Sequence, residues 1–372
     1  MKRMQQNIIA RDLQRKMVFI TGPRQVGKTT LALAVSEGFE KKLYLNYDNP
    51  GHRDIIRKAE WLPDTHLLIF DELHKMEGWK NYLKGIYDIR PAGQKILVTG
   101  SARLDAFRQA GDSLAGRFFR HRLGPFSMAE IPGSTENDLA LLMERGGFPE
   151  PFLADSPDDV NRWRLQYIDG LIRTDILDFE KIHDFRAIQL TLELLRRRVG
   201  SPVSWSSLAR DVHCAPNTIK KYISILEALF IIFRVTPYHR NIARSLLKEP
   251  KIYFYDTGMV AGDDGIRLEN LVAVSLLKHL NWKEDSKGIR CSLNTLKTKE
   301  KKEVDFVMVE NDEPKQIIEV KLSDNSISSS LHYFHKKYNL EAVQLVKNLH
   351  TERMVNGIQL RRARSFLKEL SL

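Results

Sequence analysis

Cysteine is almost missing from this chain of 372 residues. There are two, Cys214 and Cys291, too far apart for a metal knuckle and too few for a disulfide framework. No apolar run approaches the ~20 residues of a membrane span, and no N-terminal stretch has the hydrophobic segment of a signal peptide. Internal repeats and low-complexity tracts are absent too, which argues against a solenoid or a flexible array. These absences leave a cytoplasmic protein with no membrane partner as the expectation. The length exceeds the size at which one core keeps growing, so two or three domains are expected. Hydrophobic residues make up 42% of the chain, enough to fill sizeable cores, and the formal charge of +11 favours contact with a polyanion such as DNA or RNA.

What is present begins with a phosphate loop. Residues 22 to 29 read Gly-Pro-Arg-Gln-Val-Gly-Lys-Thr, the G-x-x-x-x-G-K-[ST] pattern, directly after the apolar run Lys16 to Thr21 that reads as a buried strand. Gly22 and Gly27 let the backbone curl so that its N–H groups face phosphate oxygens, and the helix that follows directs its positive dipole end at the same anion. The stretch Gly22, Pro23, Arg24, Gln25, Val26, Gly27, Lys28, Thr29 and Thr30 is therefore expected to bind ATP. Lys28 is expected to reach the β- and γ-phosphates, and Thr29 to ligate Mg²⁺.

Two further strand tips refine this reading. Leu67-Leu-Ile-Phe-Asp71-Glu72 is a short apolar strand ending in two acids. Asp71 is placed to hold the Mg²⁺, and Glu72 to orient and deprotonate the attacking water, a pair that indicates hydrolysis rather than transfer to a small molecule. Lys95-Ile-Leu-Val-Thr-Gly-Ser101 resembles sensor 1 of the additional-strand class of P-loop ATPases, in which a strand lies between those carrying the loop and the acidic pair. Thr99 or Ser101 would then contact the γ-phosphate and water. In Ser-Leu-Ala-Gly-Arg117, Arg117 is the candidate for neutralising charge at the γ-phosphate, within its own chain or from a neighbour in a homo-oligomer, with Arg103 and Arg24 as rivals.

The alternation of strands and helices over residues 1–133 predicts a parallel sheet flanked by helices. Residues 134–260 read as a helical linker containing a winged-helix unit at about 203–239. There a short helix, the turn Cys214 to Asn217, a longer helix and a strand succeed one another, offering Asn217, Lys220 and Lys221 to nucleic acid. Residues 261–372 carry a second candidate site. Glu303-Val-Asp305 opens a strand, Asn311-Asp-Glu-Pro314 is a turn, and Gln316 to Lys321 is the antiparallel return. Alternation puts Glu319 and Lys321 on one face with Asp305 opposite, and Glu269 on an upstream helix offers a third acid. Such carboxylates hold Mg²⁺ or Mn²⁺ in metal-dependent nucleases, with Lys321 positioning the attacking water.

The motifs G-P-R-Q-V-G-K-T, L-L-I-F-D-E, T-G-S-A, L-A-G-R and G-G-F-P-E, followed by K-I-Y-F-Y-D-T-G, E-V-D-F and I-I-E-V-K, run through nearly the whole chain. In this order they resemble a large family of prokaryotic AAA-type ATPases with a C-terminal domain of unknown function ending in a restriction-endonuclease-like fold. The resemblance implies an α/β protein that binds ATP at Gly22 to Thr29 with Asp71 and Glu72. It also implies a nuclease-like core at Glu269, Asp305, Glu319 and Lys321, with Val304-Asp305 standing where a Pro-Asp pair is usual. Asp256, in K-I-Y-F-Y-D-T-G, matches a family motif. Taken together, the expectation is an ATPase whose nucleotide state controls a nucleic-acid-binding, nuclease-like C-terminal region. The alternative is an ATPase or ATP-dependent switch whose inert nuclease-like domain docks a protein partner.

Overall fold

The computed structural model describes residues 1–100, 114–171, 185–239, 249–298, 300, 302–323 and 326–371. The chain divides into two compact units, Met1–Gly124 and Pro125–Leu372.

The first unit is built on five parallel strands, β1 (Met17–Thr21), β2 (Lys42–Asn46), β3 (Leu67–Asp71), β4 (Lys95–Thr99) and β5 (Phe118–Arg122), in the order β2-β3-β4-β1-β5. β1 and β3 are buried along their whole length, as parallel strands covered on both faces must be. The covering helices are α1 (Gln6–Leu13), α2 (Lys28–Ser36), α3 (Pro50–Lys58) and α4 (Trp79–Ile89). Phe19, Leu45, Leu68, Phe70, Ile96 and Val98 form the centre of the core. Because β4 lies between β1 and β3, the strand carrying Thr99 separates the phosphate loop from the acidic pair. Asp71 stands opposite Thr99 in the β3–β4 register. All these tips emerge at the C-terminal edge of the sheet, where parallel α/β proteins bind ligands.

The second unit begins with helices α5 (Glu136–Arg145), α6 (Pro149–Phe152), α7 (Pro157–Gly170) and α8 (Phe185–Arg196). α7 buries Val160, Trp163 and Tyr167, the helical spacing legible in the sequence. α9 (Trp205–Val212) and α10 (Pro216–Ala228) follow, then β6 (Ile232–Pro237) and the antiparallel β7 (Lys251–Phe254). A bridge from Pro202 to Lys251 adds a third short stretch beside β7.

α11 (Asp264–Lys287) is next, capped by the Asp263 side chain and closed by Gly288 at φ 69°. It leads into β8 (Cys291–Lys297), β9 (Glu303–Glu310) and β10 (Glu313–Lys321), an antiparallel meander. The β9–β10 turn is a two-residue one, with Asn311 and Asp312 both at positive φ (50° and 65°), which suits the right-handed strand twist. α12 (Ser329–Tyr338) then returns the chain to β11 (Glu341–Val346), parallel to β10. β12 (Arg353–Val355), β13 (Ile358–Arg362) and α13 (Ala363–Glu369) complete the unit.

The strand order is β12-β13-β11-β10-β9-β8-β6-β7, so the hairpin after α10 belongs to the same sheet as the C-terminal strands. β6 runs parallel to β8 through Thr236–Asn294 and Pro237–Thr295, so the sheet continues across 260/261.

Candidate functional site

The phosphate loop takes the shape its glycines allow. Gly22 has φ 147°, and a Cβ there would lie 2.2 Å from the Leu123 carbonyl oxygen, so only glycine fits beside the end of β5. Gln25 and Gly27 adopt positive φ (60° and 96°), turning the backbone around buried Val26 and into α2. Arg24, Gln25 and Thr30 are exposed. Lys28 is buried, and its ammonium donates to the carbonyls of Gly22 (3.1 Å) and Pro23 (2.6 Å), drawn back over the loop it serves.

Asp71 organises the strand tips. Its Oδ2 accepts from the Thr29 hydroxyl at 2.8 Å and the Tyr44 hydroxyl at 2.7 Å, and its Oδ1 accepts from Thr99. Three hydroxyls thus solvate a carboxylate that is only 4% exposed. Thr29 and Asp71 offer two oxygens side by side, the donor set a hard Mg²⁺ ion takes, so the residues present fit that ion.

Glu72 sits next to them in the left-handed region (φ 55°), where its N–H donates to Thr99 O at 3.1 Å. That conformation is uncommon for a glutamate and turns the side chain away from the run of β3. Burial pushes the Glu72 carboxyl above its usual range, opposed by the charges of Lys28 and Lys75. His74 Nε2 lies 3.5 Å from Glu72 Oε2.

In the second unit, Asp305 and Glu319 face each other one step beyond the Phe306–Ile318 pair of the β9–β10 ladder. Asp305 Oδ2 accepts from Val320 N at 2.9 Å, and Lys321 Nζ lies 2.9 Å from Glu319 Oε1. Glu319 Oε2 is buried without a hydrogen-bond partner. Glu269, near the start of α11, accepts from the Tyr253 hydroxyl at 2.6 Å. Burial and the nearby Asp305 raise both Glu269 and Glu319 to about 7.

A residue with no place in the sequence reading stands among these acids. The Lys251 ammonium lies 2.8 Å from Glu303, 3.8 Å from Glu269 and 3.8 Å from Asp305. Among the described residues, no three His, Cys, Asp or Glu side chains are arranged to hold a metal ion. Glu269 is held by Tyr253 and Lys251, while Asp305 and Glu319 face each other across the hairpin.

Three family matches cover the chain in sequence. Residues 14–132 match an AAA domain, residues 136–267 a domain of unknown function (DUF8612), and residues 264–361 another domain of unknown function (DUF4143). Residues 14–132 form a P-loop ATPase domain of the AAA type. An uncharacterized protein of Mycobacterium tuberculosis is 28% identical over 261 residues, 68% of this chain and 58% of that protein. The chain thus spans little more than half the length of that relative. An uncharacterized protein of Haemophilus influenzae is 22% identical over 380 residues, covering 91% of each chain. Among solved structures, the Walker-type ATPase of Pyrococcus abyssi aligns with a TM-score of 0.45 at 15% identity, covering 69% of this chain and 93% of that one.

Within the AAA domain, Arg117 stands away from the phosphate loop. It precedes β5 at the edge where β1 begins, with Met17 N donating to Arg117 O at 3.2 Å, whereas the loop follows the end of β1. A five-residue strand separates the two edges, roughly 16 Å. The guanidinium is held by Asp88 through bonds of 2.8 and 3.1 Å. Ser101 and Arg103 lie outside the described residues, and Thr99 is the β4 hydroxyl seen on Asp71.

Sequence reasoning missed Tyr44, and also Arg3, whose Nη2 donates to the buried Val26 carbonyl at 2.5 Å and braces the loop from the chain's start. Asp256 is also explained. It is 1% exposed, accepts from Gly258 N at 3.1 Å, and lies 3.9 Å from Arg164 Nε. A Cβ on Gly146 would fall 1.7 Å from its Oδ1, so the glycine of G-G-F-P-E and the aspartate of Y-D-T-G are two halves of one packing. Burial raises Asp256 to about 6.

Proposed function

We propose that this protein hydrolyses ATP at the phosphate loop, and that its nucleotide state controls a C-terminal unit that binds nucleic acid. The observation that carries the reading is the shared grip of Thr29, Tyr44 and Thr99 on Asp71, with Glu72 beside it. Lys28 would meet the β- and γ-phosphates and Glu72 would take the proton of the attacking water. Mg²⁺, held by Thr29 and Asp71, would shield the phosphate charge.

For the second unit, α8, the Pro202 stretch, α9, α10 and the β6–β7 hairpin follow one another in the order of a winged helix. The exposed face of α10 carries Asn217, Lys220 and Lys221, while Ile219 and Tyr222 are buried behind it. That face suits phosphate contacts. The succession α11, β8, β9, β10, α12, β11, with β11 parallel to β10, supports the restriction-endonuclease-like reading. Under it, a divalent ion sits at Asp305 and Glu319, with the buried Glu319 Oε2 in need of a partner. The rival reading, an inert platform for a protein partner, is favoured by the Lys251 ammonium among the acids.

Incubating the protein with plasmid and Mg²⁺ or Mn²⁺, with and without ATP, separates these readings. Cleavage lost in Asp305→Ala while ATP hydrolysis persists is the expected result, and no cleavage by wild type under any nucleotide condition leaves the platform. Independently, Lys220→Ala and Lys221→Ala should each flatten the log–log salt dependence of DNA binding by about 1. Salt slopes equal to wild type would remove α10 from the interface.

The place of Arg117 at the edge where β1 begins favours a finger role in trans. ATP hydrolysis per chain would then rise with protein concentration, and a rate independent of concentration would reduce Arg117 to the partner of Asp88.

A further inference from the structure

The carboxylates of Glu269, Glu303 and Asp305 come from α11 and β9, and they meet at the head of β7. Lys251 is the residue there. Its side chain is 6% exposed, and the Glu303, Glu269 and Asp305 carboxylates stand 2.8, 3.8 and 3.8 Å from its Nζ. A buried ammonium needs counter-charges, and a buried group of acids needs a cation.

The backbone fixes the ammonium in place. Lys251 pairs with Val235 in β6 and bridges to Pro202, while Gly200 N donates to Ile252 O at 3.3 Å. Side chains two apart on a strand share a face, so Tyr253 lies beside Lys251 and its hydroxyl orients Glu269. Gly200, at φ 73°, lets Glu269 close in, since a Cβ there would lie 2.8 Å from Glu269 Oε1.

We propose that the Lys251 ammonium is the resident cation of this cluster, standing among Glu269, Glu303 and Asp305 where a divalent ion would otherwise stand. Lysine on a rigid strand supplies the positive charge without dissociating, and it repels a divalent ion from the space between Glu269, Glu303 and Asp305 that its ammonium fills. The Asp305–Glu319 side remains separate, with Lys321 rather than Lys251 on Glu319. Lys251 therefore restricts any metal in this unit to that side. The inference concerns ion occupancy and holds whether or not the unit cleaves nucleic acid, so a failed cleavage assay leaves it standing.

The test counts Mn²⁺ bound per chain by electron paramagnetic resonance, using the full chain free of nucleotide. Lys251→Met keeps the stem and removes the charge, and should bind one more Mn²⁺ per chain than wild type. Adding Glu269→Gln should abolish the extra ion, and Lys251→Arg should keep the wild-type count. A folded Lys251→Met variant with the wild-type count overturns the proposal. Should that variant fail to fold, wild type and Glu269→Gln decide: equal Mn²⁺ counts support a resident lysine, and an ion lost with Glu269→Gln overturns it.

Discussion

Lys28→Ala should bind no ATP, and Glu72→Gln should bind it and turn over roughly 10²-fold more slowly or worse. The two outcomes differ because the side chains act at different stages. Lys28 is the buried cation of a loop otherwise made of backbone dipoles, and its ammonium already rests on the carbonyls of Gly22 and Pro23. Removing it leaves phosphate charge without its main counter-charge. Glu72 feels the Lys28 charge but acts on the attacking water rather than on the phosphates, so its loss should spare affinity and raise the barrier by about 2.7 kcal/mol for a 10²-fold loss.

The rate also carries a pH signature. Only ionised Glu72 accepts a proton, and burial places its carboxyl above the ordinary glutamate value, so hydrolysis should fall as pH drops through that raised value. Glu72→Gln should lack this acid limb. Fluorescent-nucleotide titration and phosphate-release rates measured across pH check both parts. Equal turnover in Glu72→Gln and wild type would remove Glu72 as the base.

The AAA domain was legible because its chemistry sits at strand tips announced by local spacing. An apolar run followed by Gly-x-x-x-x-Gly-Lys-Thr, or by Asp-Glu, states both the strand and its functional end. Partners that arrive from elsewhere carry no such announcement. Tyr44 reaches Asp71 across 27 residues of sequence and Arg3 reaches Val26 across 23, each as an ordinary residue at an ordinary place. The sheet edge that Arg117 occupies is hidden for a related reason. A glycine-arginine pair before a strand looks the same at either edge of a sheet, and only the register with Met17 shows which edge it occupies.

The C-terminal cluster shows the same limit from the other side. The hairpin register that sets Asp305 against Glu319 follows from a two-residue turn and alternation, both readable. Lys251 begins the apolar stretch Lys-Ile-Tyr-Phe and reads as a solvated strand end. Its burial results from β6 joining the C-terminal sheet, a non-local pairing through Thr236 and Pro237 that local pattern cannot supply.

Lys278→Met should be the most destabilising single substitution in the second unit, by about 3–5 kcal/mol. Lys278 lies mid-way along α11, and its ammonium donates to Pro125 O at 2.7 Å, to Ser127 Oγ at 3.4 Å and to Glu130. Side-chain exposure is 5% for Lys278 and 1% for Glu130, so neither charge has water to fall back on. Methionine fills the lysine's volume but takes the ammonium away from a buried carboxylate and two further acceptors, which is why the penalty exceeds that of a lost surface pair. Glu130→Gln in the same background removes the buried carboxylate charge and should recover part of the loss, making the double variant more stable than the sum of the singles. Because the chain has two units, a single unfolding curve is a poor measure. Native-state hydrogen exchange at the amides of α11 and of Ser127 to Ile131 reads the local free energy directly. Protection in Lys278→Met equal to wild type would mean that Glu130 is satisfied without the lysine, and that the segment entering this unit is held by apolar packing alone.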